Sequence, residues 1–504
     1  MTGLRPAGRA EPAILLGLFL LNFGASLWIF DAALTETPCT GDESSVLFQA
    51  QTFAGLRASA PAPDNPALFA SHYLAVKDGR WFSIYPPVYP LLLAAGLLLL
   101  GSAAAAVALM SSASLVLAYL VVRDAYEDRA LAGLVAALLF VSPSFRLYSS
   151  SYYTHVGALL AVLSCLRLLQ GGARAWLAAG LAAALAAGIR PFEAFWVLLP
   201  AGIWAARGLP RRERERALAA ALLLLAAVVA VLLRGPYLDV VNSGGRLAVL
   251  PNLNLAGIAR VWEMVGDAAK WTLAYGYFAA GNLKDAAPQD LNVSFLWLGA
   301  GLLWAAWEAR RDRSAGGFHR LFLATLACAV LGHLFYAKKG GPYGERRFFE
   351  AIFLLCLFPA RLLLLALRRL RPRYAVVVLA AALGVNAAWY LPATILRARL
   401  GNARRLQLFS DLRRLGESRG LVYVAGCPDF DVSFCLRNRP DLSGNVFVAA
   451  GRDEAAVARA FPGRRRYVFR FDWARGEYVL EPYERAGVRS TPRLYTQGSA
   501  LRML

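Results

Sequence analysis

Long apolar runs, separated by short polar stretches rich in arginine, recur from residue 13 to residue 393. About 20 apolar residues is the length of a helix that crosses a bilayer. Runs of that kind fall at 13–31, 103–122, 130–147, 153–169, 174–190, 193–207, 216–234, 292–309, 319–337, 349–366 and 374–393, about eleven in all. The segment 88–101 is also apolar, but it follows Pro86-Pro87 and is about two-thirds of a span long. It reads as a re-entrant or surface helix. Arg5 and Arg9 precede the first run, as in a signal peptide, but no small-x-small cleavage site follows it, so it reads as a retained span.

The basic clusters orient these spans. Arg5 and Arg9, Arg123 and Arg129, Arg167 and Arg174, the cluster at 207–216, the cluster at 310–320 and the cluster at 368–373 all fall on one side if 88–101 does not cross. By the positive-inside rule that side is cytoplasmic. Three long polar pieces, 32–87, 235–291 and 394–504, are then outside, with short outer turns at 142–153, 188–193 and 338–349. The domain expectation is a membrane domain over 1–395, whose first outer loop covers 32–102, and a small outer domain over 396–504. The tail predicts α/β structure. Leu406, Phe409, Leu412 and Leu415 recur at helical spacing, and strand-like runs follow at 421–425, 445–449, 466–471 and 478–481, with a short helix at 453–461. No internal repeat of the transporter kind is evident.

Composition narrows the class. Of 504 residues, 58% are hydrophobic, more than a soluble chain of this length can cover. The net charge of +21 is spent mainly in the clusters between spans. It makes no contiguous soluble basic face, so nucleic acid is not an expected partner, whereas membrane lipids are. Of six cysteines, Cys165, Cys328 and Cys356 lie in apolar runs, and Cys427 and Cys435 are close enough in the tail to pair in an oxidising compartment. No CxxC or histidine-rich metal pattern occurs.

Candidate chemistry gathers in the first outer loop. Asp42-Glu43 stand just past the first span. A carboxylate there suits a general base that takes a proton from an attacking nucleophile, and the same position before Ser44 suits an acid that caps a helix. Arg57, Lys77, Arg190, Arg346 and Arg347, with Lys338 and Lys339, are cations near the outer surface. They suit a phosphate, and the alternative is snorkelling to lipid headgroups, the reading favoured for Lys338, Lys339 and Arg57. Arg190-Pro191 lies in a very short turn between spans, where a charge usually has a task. In Gly340-Gly-Pro-Tyr-Gly-Glu-Arg-Arg-Phe-Phe349, which contains Tyr343, the glycines permit close backbone approach to a ligand. His155 ends a polar run at an outer boundary and is either a substrate contact or a hydrogen-bonded structural histidine. Trp81, Phe82, Tyr85, Tyr89, Tyr152 and Tyr153 are at the depth of an aromatic belt.

Four stretches carry a family likeness: Gly41-Asp42-Glu43-Ser44, Tyr85-Pro-Pro-Val-Tyr-Pro90, Arg190-Pro191 and Tyr343-Gly-Glu-Arg-Arg-Phe348. In this order they resemble the GT-C superfamily of polytopic membrane glycosyltransferases, in the bacterial branch similar to protein O-mannosyltransferases and the aminoarabinose transferase of lipid A. The resemblance implies a mainly α, polytopic GT-C fold with a large first extracytoplasmic loop and an enzyme of the cytoplasmic (inner) membrane whose site faces outward. It further implies a polyprenyl-phosphate sugar donor, a lipid, glycan or protein acceptor, and Asp42 near the reacting carbon, with Glu43 as neighbour or as ligand of a divalent cation such as Mg or Mn. Arg190, Arg346, Arg347, Arg57 and Lys77 are the phosphate candidates, and Tyr85, His155 and Tyr343 the substrate candidates. The sequence departs from the aminoarabinose-transferase pattern at Tyr85, where a lysine would help hold the lipid phosphate. Rival readings are a lipid-linked glycan polymerase or ligase, and a transporter or flippase.

Overall fold

The structure, a computed structural model, describes residues 10–34, 38, 40–64, 66–69, 73–171, 175–207, 303–308, 317–334, 346–385, 387–388, 391–425, 437–450 and 454–484. The expected span at 216–234, most of that at 292–309, Lys338, Lys339, Tyr343, Cys427 and Cys435 lie outside the described residues. The chain divides into two compact units. One comprises Met1–Ala33 and Ala104–Arg397, the other Leu34–Ala103 and Ala398–Leu504.

The first unit is helical. Its described elements are α1 (Glu11–Leu34), then, after the elements of the second unit, α4 (Ala103–Tyr126), α5 (Arg129–Val141), α6 (Pro143–Tyr148), α7 (His155–Gln170), α8 (Trp176–Ile189), α9 (Pro191–Arg207), α10 (Gly317–Leu334), α11 (Ile352–Arg369) and α12 (Pro372–Val385). Among the described residues, three helices are long and apolar enough to cross a membrane: Glu11–Ala32, Ala103–Tyr126 and Phe349–Arg369. The other apolar helices are shorter, at 10–17 residues. The run expected to cross at 130–147 is broken into α5 and α6. The residue before a proline is pushed out of the helical region, and Ser142 before Pro143 sits at φ −70°, ψ 119°. Its hydroxyl then caps α6 by accepting from the Phe145 amide.

Ion pairs bring several of the arginine-bearing helix ends together. Arg123 reaches Glu11 and Asp124, each at 2.6 Å. Arg167 pairs with Asp124 at 2.8 Å and Arg129 with Glu11 at 3.4 Å, while Arg368 pairs with Asp128 at 2.6 Å. The start of α1, the ends of α4, α7 and α11 and the start of α5 therefore share one end of the unit. Positive-inside bookkeeping assigns those same ends to a single side.

The second unit mixes helix and sheet. It holds α2 (Gly41–Ala54), β1 (Ala60–Pro61), β2 (Leu74–Lys77), β3 (Arg80–Ser83) and α3 (Val88–Leu100) from the first polar stretch. From the tail come the end of α13 (Leu391–Arg414), β4 (Leu421–Val424), β5 (Val446–Ala449), α14 (Glu454–Ala460), β6 (Arg466–Asp472) and β7 (Glu477–Pro482). At thirteen residues α3 is about 20 Å long, short of a bilayer's apolar core. The tail sheet has strand order β5-β4-β6-β7, parallel except for the antiparallel β6–β7 pair. Its inner strand β4, Leu421-Val-Tyr-Val424, is buried throughout, as a strand covered on both faces must be.

What covers those faces joins the two parts of the unit. Side chains alternate across a strand. Val422, Val424, Phe447 and Phe469 face Leu408 and Leu412 of α13. Leu421, Tyr423, Val446, Val448 and Val468 face Phe48, Ala60, Phe69 and Trp81 from the first polar stretch. The Trp81 ring lies 4.6 Å from that of Phe48 and 5.7 Å from that of Phe69, centroid to centroid. Trp81 and Phe82 are therefore core residues, 1% and 2% exposed, rather than members of an aromatic belt.

Candidate functional site

The start of α2 is the best-defined polar arrangement in the second unit. Thr40 is its N-cap, in extended backbone, and its hydroxyl accepts from the Glu43 amide at 3.3 Å. The same hydroxyl donates to Glu43 Oε2 at 3.0 Å. Thr40-x-x-Glu43 is thus a variant of the capping box. Glu43 is 1% exposed. Asp42 has a different environment: half-buried, it accepts a hydrogen bond from the Tyr85 hydroxyl. A helix N-terminus favours negative charge, which suits an acidic side chain at the Asp42 position.

The surrounding chain fixes this pair. β2 and β3 are joined by Asp78-Gly79, both at positive φ, the two-residue turn an Asp-Gly pair favours. Ser45 on α2 donates to the Tyr73 carbonyl at 2.6 Å and lies 2.6 Å from the Ser83 hydroxyl. Gln49, one turn on, accepts from the Ser83 amide at 3.0 Å and donates to the Ala58 carbonyl at 2.9 Å. The Ser83 hydroxyl then accepts from the Tyr85 amide at 3.1 Å. The Tyr73 and Tyr85 rings stack 6.4 Å apart. A Cβ at position 41 would run into the Tyr73 ring, so glycine is required there.

Arg57 and Lys77 belong to the same unit as the pair. Arg57 is exposed in the turn after α2, its amide bonded to the Thr52 carbonyl at 3.2 Å. Lys77 is half-buried and stands opposite Arg80 across the hairpin. No group of three or more His, Cys, Asp or Glu side chains converges among the described residues. Asp42 and Glu43 are the carboxylates that would hold a divalent cation here, and Oε2 of Glu43 is bonded to the Thr40 hydroxyl.

A second polar cluster lies in the first unit. Arg190 ends α8, where Pro191 forces a break, and its guanidinium reaches Glu193, the Glu350 carboxylate at 2.9 Å and the Thr154 hydroxyl at 3.2 Å. His155 Nδ1 lies 3.1 Å from the same Glu350 oxygen. Both His155 and Glu350 are fully buried, and the Tyr148 and Phe349 rings pack on the imidazole at 4.8 and 5.7 Å. Glu350 escaped the sequence reading because it sits at the edge of an apolar run with no local marker. Arg346 and Arg347 begin a short 3-10 helix, Arg346–Ala351, that leads directly to it.

No protein-family model matches the chain, and no curated protein matches it. Among solved structures it is similar to the archaeal oligosaccharyltransferase AglB from Archaeoglobus fulgidus, determined in complex with an inhibitory peptide and a dolichol-phosphate. The likeness has a TM-score of 0.46 at 13% identity and covers 81% of this chain. The chain spans 58% of the length of that protein.

Proposed function

We propose that this chain is a GT-C type glycosyltransferase of the cytoplasmic membrane that moves a sugar from a polyprenyl-phosphate donor to a lipid, glycan or protein acceptor outside the cytoplasm. The observation that carries the reading is the division of labour at the start of α2. Thr40 and Glu43 cap the helix, and the adjacent Asp42 carboxylate is held instead by Tyr85.

In the proposed reaction the acceptor nucleophile attacks the anomeric carbon as Asp42 takes its proton, and the polyprenyl phosphate leaves with its bonding electrons. Attack opposite the leaving group inverts the anomeric configuration. The leaving phosphate is a stable anion, so no second carboxylate is needed as an acid. Tyr85 restricts the carboxylate to one orientation, which supports its reading as a positioned base. Of the cations proposed to meet the donor phosphate, Arg190 already faces Glu193 and Glu350, so more of that task falls to Arg346 and Arg347, and Arg57 and Lys77 are the other proposed contacts. His155 and Tyr343 remain proposed substrate contacts.

The test is to supply the purified, reconstituted chain with membranes as acceptor source and short-chain polyprenyl-phosphate hexoses and pentoses. Release of free polyprenyl phosphate with an inverted product is expected. Relocation of intact donor across the bilayer, without release, would contradict transfer and favour a flippase.

A further inference from the structure

Arg146 differs from the other buried and half-buried arginines of the first unit. Arg123 and Arg190 each face carboxylates. Arg146 is 1% exposed and forms no ion pair among the described residues. Its Nη2 donates to the Asn22 side-chain oxygen, while Nε and Nη1 have no hydrogen-bond partner among the described residues. Its guanidinium lies over the Phe140 ring at 4.6 Å and the Phe145 ring at 5.3 Å. Those ring contacts offset only part of the cost of burying an unneutralised cation.

The neighbourhood is rich in hydroxyls and poor in acids. Asn22 on α1 is held by its amide nitrogen, which donates to Ser111 at 2.8 Å and Ser112 at 3.2 Å on α4. That fixes the amide's orientation and turns its oxygen to Arg146. Ser149 and Ser150 follow Arg146 by three and four positions as the helical turn runs on past α6, so the three share a face. Ser149 and Ser150 are 0% exposed, and neither hydroxyl has a hydrogen-bond partner among the described residues. Two unpaired guanidinium nitrogens and two unpaired hydroxyls, all buried, are donors without an acceptor among the described residues.

We infer that Arg146, Ser149 and Ser150 form a phosphoryl-binding site, distinct from Arg190, which already faces Glu193 and Glu350. A guanidinium offering two N–H groups matches two oxygens of a tetrahedral anion, and hydroxyls can meet the others. The phosphoryl group is carried by a membrane lipid or is free phosphate, and the chemistry is common to both. The site does not depend on the sugar-transfer reading, because it is tested by binding and not by turnover.

The experiment measures affinity of the full-length protein in nanodiscs for a short-chain polyprenyl phosphate, for the matching unphosphorylated polyprenol and for inorganic phosphate. Each is repeated with Arg146→Gln, Arg146→Lys and the double variant Ser149→Ala/Ser150→Ala. The expected result is a loss of about tenfold or more for the phosphorylated ligand in Arg146→Gln, the worth of one charge-assisted contact, and a smaller loss in the double variant. Arg146→Lys should retain part of the affinity. Weakening of the lipid alone names a lipid phosphate, and weakening of inorganic phosphate as well names a site for the free anion. Equal binding of polyprenol and polyprenyl phosphate would overturn the inference. So would unchanged phosphate affinity in the double variant and in whichever Arg146 variant folds, since a purely structural clamp alters stability and leaves affinity alone.

Discussion

The Tyr85 hydroxyl donates to the Asp42 carboxylate across a separation of 43 positions in the chain. A hydrogen bond to a charged group contributes about 1.5–3 kcal/mol, of which only the part felt in the transition state enters the rate. Tyr85→Phe keeps the ring that stacks on Tyr73. It is therefore expected to fold normally and to lower turnover by about tenfold, in step with a loss of roughly 1.4 kcal/mol of orientation. Steady-state sugar transfer by the purified variant checks this. Unchanged turnover would remove Tyr85 from the account.

Thr40→Ala removes both of the threonine's hydrogen bonds to Glu43 while leaving Asp42 and Tyr85 in place. Loss of an N-cap costs about 1 kcal/mol. A lower thermal midpoint is expected, with turnover at permissive temperature changed much less than in Asp42 variants. A collapse of turnover in fully folded Thr40→Ala would instead give Glu43, freed from its cap partner, a direct part in the chemistry.

Trp81→Ala tests the shared core. The ring is 1% exposed and packs with side chains from both halves of the second unit. Large-to-small substitution of a buried aromatic costs about 3–5 kcal/mol. Protease cleavage in the tail near 440–450 is expected to rise together with cleavage in the first polar stretch. Cleavage confined to one of the two would show that they fold independently.

A pH dependence follows from Asp128, which lies between α4 and α5. Burial alone would push its carboxyl up, but the Leu131 amide and the Arg368 guanidinium outweigh burial and hold it below the usual carboxylate value. A depressed value stabilises the fold above the unfolded-state pKa of about 4, and that stability is lost as pH falls through the folded value. The pair is partly exposed, so under about 1 kcal/mol is at stake. Thermal midpoints measured from pH 6 downward should fall less steeply for Asp128→Asn, which keeps a capping side chain, than for the natural chain.

How much of this was legible in the sequence varies with the range of the interaction. Helix positions and the tail strands follow from local periodicity, and Pro143 marks the break in what had looked like one span. The Asp42-Glu43 pair was visible, but its duties were not separated. The sign was local and available, since Thr40 stands three residues before Glu43 in a capping-box pattern. The Asp42–Tyr85, Arg190–Glu350 and Asn22–Arg146 contacts had no such sign, because each joins residues far apart in the chain. Trp81 was misread for the same reason: an aromatic next to a membrane segment looks like a belt residue until the tail sheet that covers it is seen.

The most direct test of the account is turnover of Asp42→Asn alongside its affinity for donor. Asparagine preserves size, and Thr40 supplies the cap, so folding and donor binding should be close to normal. A lost general base should lower the transfer rate by about 10²–10⁴-fold. Donor affinity within about twofold, with turnover down by that factor, is the predicted result. Near-normal turnover in a folded Asp42→Asn protein would contradict the assignment of Asp42 as base.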